Sequence, residues 1–414
     1  MSNPAVSVIV VSKGRGDSLA LTLTGLARLL YDSYEIIVVA DAEGLETVRR
    51  LRMEDQVKTV AFADPNISLA RNVGIAIAAG ELVAFIDDDA VPEPTWLNHL
   101  TAPFADMSVA AAGGYVIGRN GISFQWTARS IDYTATDSAL NLDGMQPTVL
   151  TPPPGSAIKT EGTNMAFRRS DLARIGGFDP AYRFYLDEAD LNMRLAKARK
   201  PTAIVPLAQV HHAFAPSVRR DASRAPRDLF EIGASLMVYL RRHCPEDQRD
   251  SIVRHFRKAR DKALIDHMIA GRLEPRDVRR LRRRLRDGIK AGQTRDLHAL
   301  PSLPHSTEPF LAFETRIKTP GVVLSGRSLR RRALRAEAEE RADRGESVSL
   351  FLFSPTTLYH RVRMTRAGVW EQRGGIWGKS LRSGWMIRPG RFKGRVRREI
   401  ARVAAVRGIP RKAR

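Results

Sequence analysis

Three consecutive aspartates stand directly after a short apolar run: Asp87, Asp88 and Asp89 follow Phe85-Ile86. Alternate carboxylates at the carboxyl end of a buried strand can hold one divalent cation against a diphosphate, and oxygen ligands suit Mg²⁺ or Mn²⁺. Such a cation stabilises the charge that develops on a leaving diphosphate. The alternative is that the aspartates cap the next helix, but three adjacent carboxylates repel one another and cap at most one helix. The sequence therefore favours a metal site.

The elements that would position these carboxylates alternate between strand and helix. Strands are predicted at Val6 to Val11, Glu35 to Val39, Val57 to Phe62 and Leu82 to Ile86, and helices at Ser18 to Leu30 and Ser68 to Ala79. This alternation predicts an α/β fold with a mostly parallel sheet flanked by helices. Ligands of such sheets bind beyond the carboxyl ends of the strands, which is where the aspartates are expected.

The pattern becomes less regular after the aspartates. A strand is predicted over 109–118, a proline-rich loop that could act as a flap over 148–156, helices over 169–175 and 187–200, and a strand over 203–210 that runs into His211-His212. From about Pro216 the character changes, and helices are predicted near 229–240 and 275–292. A linker at 293–320 and a small α/β unit at 321–375, with a helix at 329–344, complete the chain before a basic tail.

The charge is distributed unevenly along the 414 residues. Up to Ala215 the chain has 19 basic and 24 acidic side chains, whereas the remainder has 48 and 21. The two halves are therefore expected to meet different partners. The single cysteine, Cys244, excludes an internal disulfide framework, and neither a secretory signal nor an apolar run of membrane-spanning length is found. A cytoplasmic protein is expected.

Seven short motifs follow one another in the first half: Val6 to Val11, Val38 to Asp41, Ile67 to Gly74, Asp87 to Asp89, Gly162 to Met165, Gly176 to Asp179 and Asp187 to Asp190. In this order they resemble family 2 glycosyltransferases of the GT-A fold, over about residues 5–215. The resemblance implies a GT-A-like domain and inverting transfer of a sugar from a nucleotide diphosphate donor to a hydroxyl acceptor. Such transfers usually serve the assembly of a surface polysaccharide, glycolipid or glycoprotein.

The resemblance assigns the donor site and the metal. Asp87 and Asp89 match the Asp-x-Asp pair that handles the donor's ribose and diphosphate and the divalent metal, with Asp88 between them. Asp41 matches the acid that contacts the nucleobase, although Ala40 replaces a second acid common in the family. Ser12 matches a position that lines the nucleotide pocket, but the next residues, 13–17, depart from the usual Tyr-Asn pair.

Three further matches have structural alternatives that the sequence leaves open. Arg71 is expected near the donor, or in an exposed ion pair at a helix end. Asn164 is expected to bind sugar hydroxyls, or to be an ordinary turn residue. His211 and His212 match a place where relatives often carry a histidine that completes the metal or diphosphate site, and a neutral imidazole is an acceptable ligand for Mn²⁺.

The motif at 187–190 matches the acidic group that supplies the general base. An inverting transfer needs a carboxylate that removes the proton from the attacking hydroxyl. Glu188 aligns with the usual base and Asp187 is the second candidate, because the order here is Asp-Glu rather than Glu-Asp. The structural alternative is a capping box, with Asp187 as N-cap and Asp190 three residues later.

The sequence divides into a GT-A-like domain at 1–220, a basic helical segment at 221–295 and a small α/β region with a basic tail at 296–414. Trp370, Trp377 and Trp385 stand among basic residues, a mixture compatible with an anionic membrane interface or with nucleic acid; the membrane is favoured, because acceptors of such transferases are often lipid-linked. A solvated basic surface without a partner is equally compatible.

The leading hypothesis is a metal-dependent hexosyltransferase that uses a nucleotide-sugar donor and a glycan or lipid-linked acceptor, in the cytoplasm or peripherally on the inner face of the membrane. Two alternatives stay open. A sugar nucleotidyltransferase shares the sheet and the diphosphate chemistry, but its Gly-rich loop is poorly matched by residues 13–16. The other is a catalytically inactive scaffold that binds a polyanion or a membrane.

Overall fold

The structure, a computed structural model, describes residues 3–213 and 223–410. Strands and helices alternate along its first part, as predicted. They are β1 (Val6–Ser12), α1 (Gly16–Leu26), β2 (Tyr34–Ala40), α2 (Ala42–Arg50), β3 (Val57–Ala61), α3 (Ile67–Ile77) and β4 (Leu82–Asp87). The strands lie in the order β3-β2-β1-β4 and are all parallel, so their carboxyl ends meet at one edge.

The parallel strands are apolar because both of their faces are covered by helices. Val8 and Val10 of β1 pack in one core with Leu19 and Leu23 of α1. Ile9, between them, points to the opposite face and belongs to a second core with residues of α3. The β-branched residues of β1 and β2 suit this pleated, buried environment. The predicted mostly parallel sheet flanked by helices is confirmed.

The sheet continues beyond β4 with mixed strand directions. The further elements are β5 (Ala90–Pro92), α4 (Trp96–Thr101), a 3₁₀ helix (Ala102–Ala105), β6 (Ala111–Ile117), β7 (Phe124–Trp126), β8 (Arg129–Asp132), β9 (Asp137–Ala139), β10 (Thr148–Leu150), β11 (Ser156–Lys159), β12 (Met165–Arg168), α5 (Arg169–Arg174), α6 (Asp187–Lys197) and β13 (Thr202–His212). The order runs β10-β13-β6-β12-β4, and β8, β9 and β11 form a separate small sheet.

Two boundaries need comment. The prediction of a loop over 148–156 is wrong for its first residues, because β10 pairs antiparallel with β13 at the edge of the sheet. The prolines at 152–154, which cannot donate hydrogen bonds to a ladder, follow after the strand ends. The predicted change of character near Pro216 and the first domain boundary at 220 fall in a segment outside the described residues. The division into domains stays a prediction.

The basic middle segment folds into three helices, α7 (Phe230–His243), α8 (Glu246–Ile269) and α9 (Pro275–Thr294). The predicted apolar face of α9 is buried, and it packs against α7. The two helices approach closely at Gly288, where a Cβ atom would collide with the carbonyl of Phe230. Among the described residues, no helix combines the length and the apolar composition needed to cross a bilayer.

The C-terminal part forms a third sheet, which we call the C-terminal sheet, together with two helices. Its elements are β14 (Thr319–Arg327), α10 (Arg331–Asp343), β15 (Glu346–Ser354), β16 (Arg361–Met364), β17 (Trp370–Gly375) and α11 (Phe392–Arg407), with a 3₁₀ turn (Ser328–Arg330) before α10. Its order is β14-β15-β17-β16. The predicted strands and helix of this unit are confirmed. Helix α11 was missed, because its buried residues Val396, Val403 and Val406 are separated by many basic side chains.

The segment between α9 and β14 is not a free linker, as residues 293–320 were predicted to be. Residues 293–294 still belong to α9 and residues 319–320 to β14, and the stretch between them packs on the first sheet through residues near 311–313. Phe313 is buried in the first core and its ring lies 5.5 Å from that of Tyr34. The backbone N–H of Leu311 donates to the buried carboxylate of Glu35, at 3.0 Å.

A buried ion pair connects the C-terminal part with the first sheet. The Arg407 guanidinium at the end of α11 donates to both carboxylate oxygens of Glu93, at 3.0 and 3.2 Å, and both side chains are almost fully buried. Burial alone would raise the pKa of Glu93, but the charge of Arg407 and a hydrogen bond with His211 outweigh it and lower the pKa to about 2. The His211 ring and the Arg407 guanidinium both contact the indole of Trp370.

We expect Arg407→Ala to lower the free energy of unfolding by about 3–5 kcal/mol, because it leaves Glu93 charged and buried without its partner. Denaturant unfolding monitored by circular dichroism measures the change. Arg397→Ala, an exposed position on the same helix, is the control and should change stability by less than about 0.5 kcal/mol. Since the folded pKa of Glu93 is depressed, the wild type should lose the contribution of this pair as the pH falls from about 4.5 towards 2. Equal stability of the two variants would contradict this account.

Candidate functional site

The carboxylates of β4 and the end of β13 meet at the carboxyl edge of the parallel strands. One ligand atom each of Asp87, Asp89 and His212 lies within 4.8 Å of the others. His212 Nε2 is 3.1 Å from an oxygen of Asp89 and 4.0 Å from one of Asp87. Strand β5 brings the imidazole there, because it pairs with β13 so that His212 lies opposite Ala90, the residue after Asp89.

The surroundings of His212 suit a metal ligand. Its Nδ1 lies 3.1 Å from the side-chain oxygen of Gln125, an acceptor, and its Nε2 faces the two carboxylates. A histidine ligand is commonly oriented by such a contact of its other ring nitrogen. The Trp126 indole stacks on the imidazole. Burial lowers the pKa of His212, but the hydrogen bond with Asp89 and the aspartate charges raise it above its ordinary value. Two carboxylates and one imidazole form a donor set that fits Mn²⁺ or Mg²⁺.

Asp88 points away from this group, into the protein. It is fully buried, accepts a hydrogen bond from Ser12 Oγ at 2.7 Å, and lies 2.6 Å from the Arg15 guanidinium. Burial raises its pKa to about 7, against the opposing charge of Arg15. Arg15 also lies 3.4 Å from Asp89. Asp88 and Ser12 thus hold the loop after β1 against Asp87, Asp89 and His212, which we call the metal group. That Asp88 and Ser12 contact the donor stays a prediction.

Asp41 holds the other side of the same loop. It is the N-cap of α2, where it accepts from the Gly44 N–H at 3.1 Å. Its second oxygen accepts from the Gly14 N–H at 2.9 Å. Ser12, Asp41 and the three aspartates therefore lie together at one edge of the sheet, as the carboxyl ends of β1, β2 and β4 require.

Arg71 links the metal group to the acidic motif of α6. Its guanidinium forms an ion pair with Asp187, donates to the Gly162 carbonyl at 3.2 Å, and lies 3.7 Å from Asp87. The side chain is buried and also packs over the Phe178 ring. The alternative of an exposed ion pair at a helix end is therefore wrong.

The acidic motif forms the first turn of α6, and the capping-box alternative is also wrong. The N-cap is Leu186, which like Tyr185 has a left-handed backbone, with φ of 65° and 75°. Two consecutive non-glycine residues in this region are strained, and such strain is typical of functional sites. Asp190 has a structural role, because the charge of Arg194 and a hydrogen bond with His243 outweigh its burial and lower its pKa to about 2.

Glu188 lies partly exposed in an acidic environment across from Arg71. Burial raises its pKa to about 8, helped by the charge of Asp187 and opposed by that of Lys159. Glu161 is a further neighbour, and burial raises its pKa to about 7. The Lys159 ammonium, 3.7 Å from Glu161 and 2.9 Å from Asp137, supplies the compensating charge. A carboxyl group with a pKa near neutrality can accept a proton from a substrate.

Two predicted site residues have structural roles instead. Asn164 was expected to bind sugar hydroxyls, but its side chain is fully buried, donates to the carbonyls of Tyr115 and Ala208, and accepts from the Trp96 indole N–H. His211 was expected as a metal ligand, but it points to the other side of β13, where it lies 2.8 Å from Glu93. Successive residues of a strand face opposite sides, so only one of the two histidines can reach the metal group.

Several functional neighbours were not identified from the sequence. Gln125 lies on an edge strand with no acidic or histidine neighbour in sequence, and Lys159 and Glu161 flank a β11 end that the sequence did not predict. Arg15 was noted only as part of a loop. Its position one turn from a strand end was the signal, since basic residues at such loops often contact anions.

Comparison with known proteins agrees with this geometry. Residues 7–176 match the model of glycosyl transferase family 2. The resemblance expected from the motifs is thus confirmed over these residues.

Characterised relatives cover only part of the chain. The protein is 28% identical over 181 residues to the glucosyl-dolichyl phosphate glucuronosyltransferase of Haloferax volcanii, covering 42% of this chain and 56% of the relative. It is 28% identical over 136 residues to the putative glycosyltransferase EpsH of Bacillus subtilis, covering 32% and 38%. The chain thus spans less than two thirds of either relative. Among solved structures, the mannosyltransferase PcManGT from Pyrobaculum calidifontis in complex with GDP-Man and Mn²⁺ is similar over 70% of this chain and 74% of that one, at 17% identity and a TM-score of 0.40.

Because Asn164 is a buried hydrogen-bonding residue, we expect Asn164→Ala to lower the free energy of unfolding by about 2–4 kcal/mol, as it leaves two carbonyls and the Trp96 N–H without their partner. Thermal or denaturant unfolding tests this. Asn141→Ala, at an exposed position, should be neutral. A stable Asn164→Ala protein that has lost affinity for a sugar nucleotide would restore the predicted sugar-binding role.

Proposed function

We propose that this protein is an inverting, metal-dependent glycosyltransferase that transfers a sugar, as a hexosyltransferase does, from a nucleoside diphosphate to an acceptor hydroxyl. The observation that carries the proposal is the buried Arg71, which joins the group of Asp87, Asp89 and His212 to the acidic first turn of α6. The leaving diphosphate would bind beside the first of these groups and the attacking hydroxyl beside the second. Displacement with inversion needs the base and the leaving group on opposite faces of the sugar.

The donor would bind at the carboxyl edge of the parallel strands. Asp87, Asp89 and His212 would hold the divalent cation, which supplies stabilisation of the negative charge that develops on the leaving diphosphate. Asp41 lies on the β2 side of this edge and would contact the nucleobase. Ser12 and Asp88 would keep the intervening loop, with its Arg15 guanidinium, against the diphosphate.

Glu188 is the favoured general base and Asp187 the positioning residue. Asp187 is buried and one oxygen of its carboxylate is paired with Arg71, so it is less accessible to an acceptor than Glu188. Glu188 is partly exposed, and its raised pKa means that it holds a proton more strongly than an ordinary carboxylate. It can therefore remove the proton from the attacking hydroxyl as the new bond forms.

The acceptor is proposed to be a glycan or a lipid-linked sugar, in the assembly of a surface polysaccharide or glycolipid. The names of two relatives support this class. One is the glucosyl-dolichyl phosphate glucuronosyltransferase of Haloferax volcanii, and the other is the N-acetylglucosaminyl-diphospho-decaprenol L-rhamnosyltransferase of Mycobacterium tuberculosis. Nucleic acid is the less favoured partner. Location in the cytoplasm stays a prediction.

Thermal stability against a panel of nucleoside diphosphates, with and without Mn²⁺, tests the donor site. We expect one nucleotide with Mn²⁺ to raise the midpoint by several degrees, because ligand at about 100 times its Kd stabilises the native state by about 2.7 kcal/mol. Asp89→Ala should abolish the shift, whereas Asp55→Ala, at an exposed position outside the site, should retain it. No shift with any nucleotide would favour the inactive scaffold.

The pH dependence of kcat/KM tests the base. A base must be deprotonated to act, so kcat/KM should rise with pH through about 8 in the wild type, the pKa of Glu188. Glu188→Gln should lower kcat by about 10²-fold or more and remove this rise. Asp187→Asn should lower activity but keep the rise. If the rise instead survives in Glu188→Gln and disappears in Asp187→Asn, Asp187 is the base.

A further inference from the structure

The loop between β17 and α11 exposes apolar side chains at its tip. Trp385, Met386 and Ile387 are consecutive and are 85%, 64% and 56% exposed. A folded protein seldom presents a tryptophan and two large aliphatic residues together to water, and a contiguous apolar surface marks a contact with another molecule or with a membrane.

A second loop extends this surface. Leu358 and Tyr359, 64% and 55% exposed, lie between β15 and β16. Backbone hydrogen bonds join the two loops: the His360 N–H donates to the Lys379 carbonyl at 2.7 Å, and the Trp377 N–H donates to the Thr356 carbonyl at 3.2 Å. The Arg388 N–H in turn donates to the Trp377 carbonyl, so the base of the tryptophan loop is closed. We call residues 358–359 and 381–391 the apical surface.

The charge around the apical surface has one sign. Residues 372–398 contain nine basic residues and no acidic one. Arg382, Arg388 and Arg391 are exposed and flank the three apolar residues on both sides. The apolar side chains match the acyl chains of a bilayer interface, and the flanking arginines match its anionic headgroups.

Of the three tryptophans expected at a membrane interface, only Trp385 is largely exposed. Trp370 is 1% exposed, between the Arg407 guanidinium and the His211 ring, and Trp377 is partly buried with its indole N–H donating to the Gly390 carbonyl. Neither can enter a membrane. Trp385 alone of the three remains available.

We propose that the apical surface docks this protein on an anionic lipid bilayer. Charge complementarity favours a bilayer over a second copy of the chain. A second copy would bring the same arginines into contact with one another, whereas an anionic bilayer neutralises them while Trp385 enters the interface. Nucleic acid would pair with the arginines but would leave Met386 and Ile387 in water.

The apical surface is continuous with the candidate active site. The Arg382 N–H donates to the Ile122 carbonyl, and the Val362 N–H donates to that of Asn120. The loop so held, together with Arg119, Gln125 and Arg361, lines a cleft of about 650 Å³. Gln125 contacts His212 of the metal group. Docking would turn this cleft towards the membrane, within reach of an acceptor carried by lipid. Access to such an acceptor rests on the proposed function, whereas docking on the bilayer does not.

Co-sedimentation with vesicles tests the proposal. We expect the wild-type protein to bind vesicles of phosphatidylcholine that contain phosphatidylglycerol, to bind pure phosphatidylcholine vesicles far more weakly, and to dissociate as salt is raised. The double substitution Trp385→Ser and Ile387→Ser should weaken the partition coefficient at least tenfold, and Arg382→Gln with Arg388→Gln should do the same. The control is Ile269→Ser, which removes an equally exposed side chain from the end of α8.

Tryptophan fluorescence supplies an independent readout. Trp385 is the most exposed tryptophan, so anionic vesicles should shift the emission to shorter wavelength, and brominated lipids should quench it. Equal vesicle binding by the wild type and the Trp385/Ile387 variant overturns the proposal. So does self-association of the wild type without lipid that the same variant abolishes, which would assign the surface to a second copy. The nucleotide-dependent thermal shift should be unchanged in this variant, so a failure of docking is distinguishable from a failure of the donor site.

Discussion

The arrangement of the site depends on the Arg71 guanidinium, a buried cation surrounded by groups from three parts of the chain. Helix α3 supplies it, β4 supplies Asp87, and α6 supplies Asp187. Burying a charge is costly unless it is paired, and these partners are themselves acids that would repel each other without it. One side chain therefore fixes the distance between the metal group and the acidic helix.

The basic half is part of this arrangement rather than an appendage. Arg407 of the last helix holds Glu93, Glu93 contacts His211, and the next residue of that strand is His212 of the metal group. Glu93 directly follows β5, and His211 lies opposite Val91 in the ladder that β5 forms with β13. The C-terminal sheet thus supports the strand end on which the imidazole is carried, through contacts that are shielded from solvent.

Much of the first half could be predicted from the sequence, because parallel buried strands are continuous apolar runs and the acids at their ends are adjacent in sequence. The aspartates after β4 were predicted as metal ligands in this way, whereas Arg71 and the acids of α6 were assigned by the resemblance to family 2 glycosyltransferases. The strands that pair with β13 and their register were not predicted, so the sequence could not tell which of His211 and His212 faces the site, nor that Asn164 turns inward to bind backbone carbonyls. Gln125 and Lys159 belong to short edge strands, whose pairing depends on distant partners.

The return of the segment after α9 across the first sheet has a consequence for biosynthesis. Phe313 completes a core that otherwise consists of residues before 211, and Leu311 supplies a donor to the buried Glu35. The nascent N-terminal sheet therefore leaves the ribosome without these two residues. Tyr34 and Glu35 can reach their final contacts only after the three helices of the middle segment have also been synthesised.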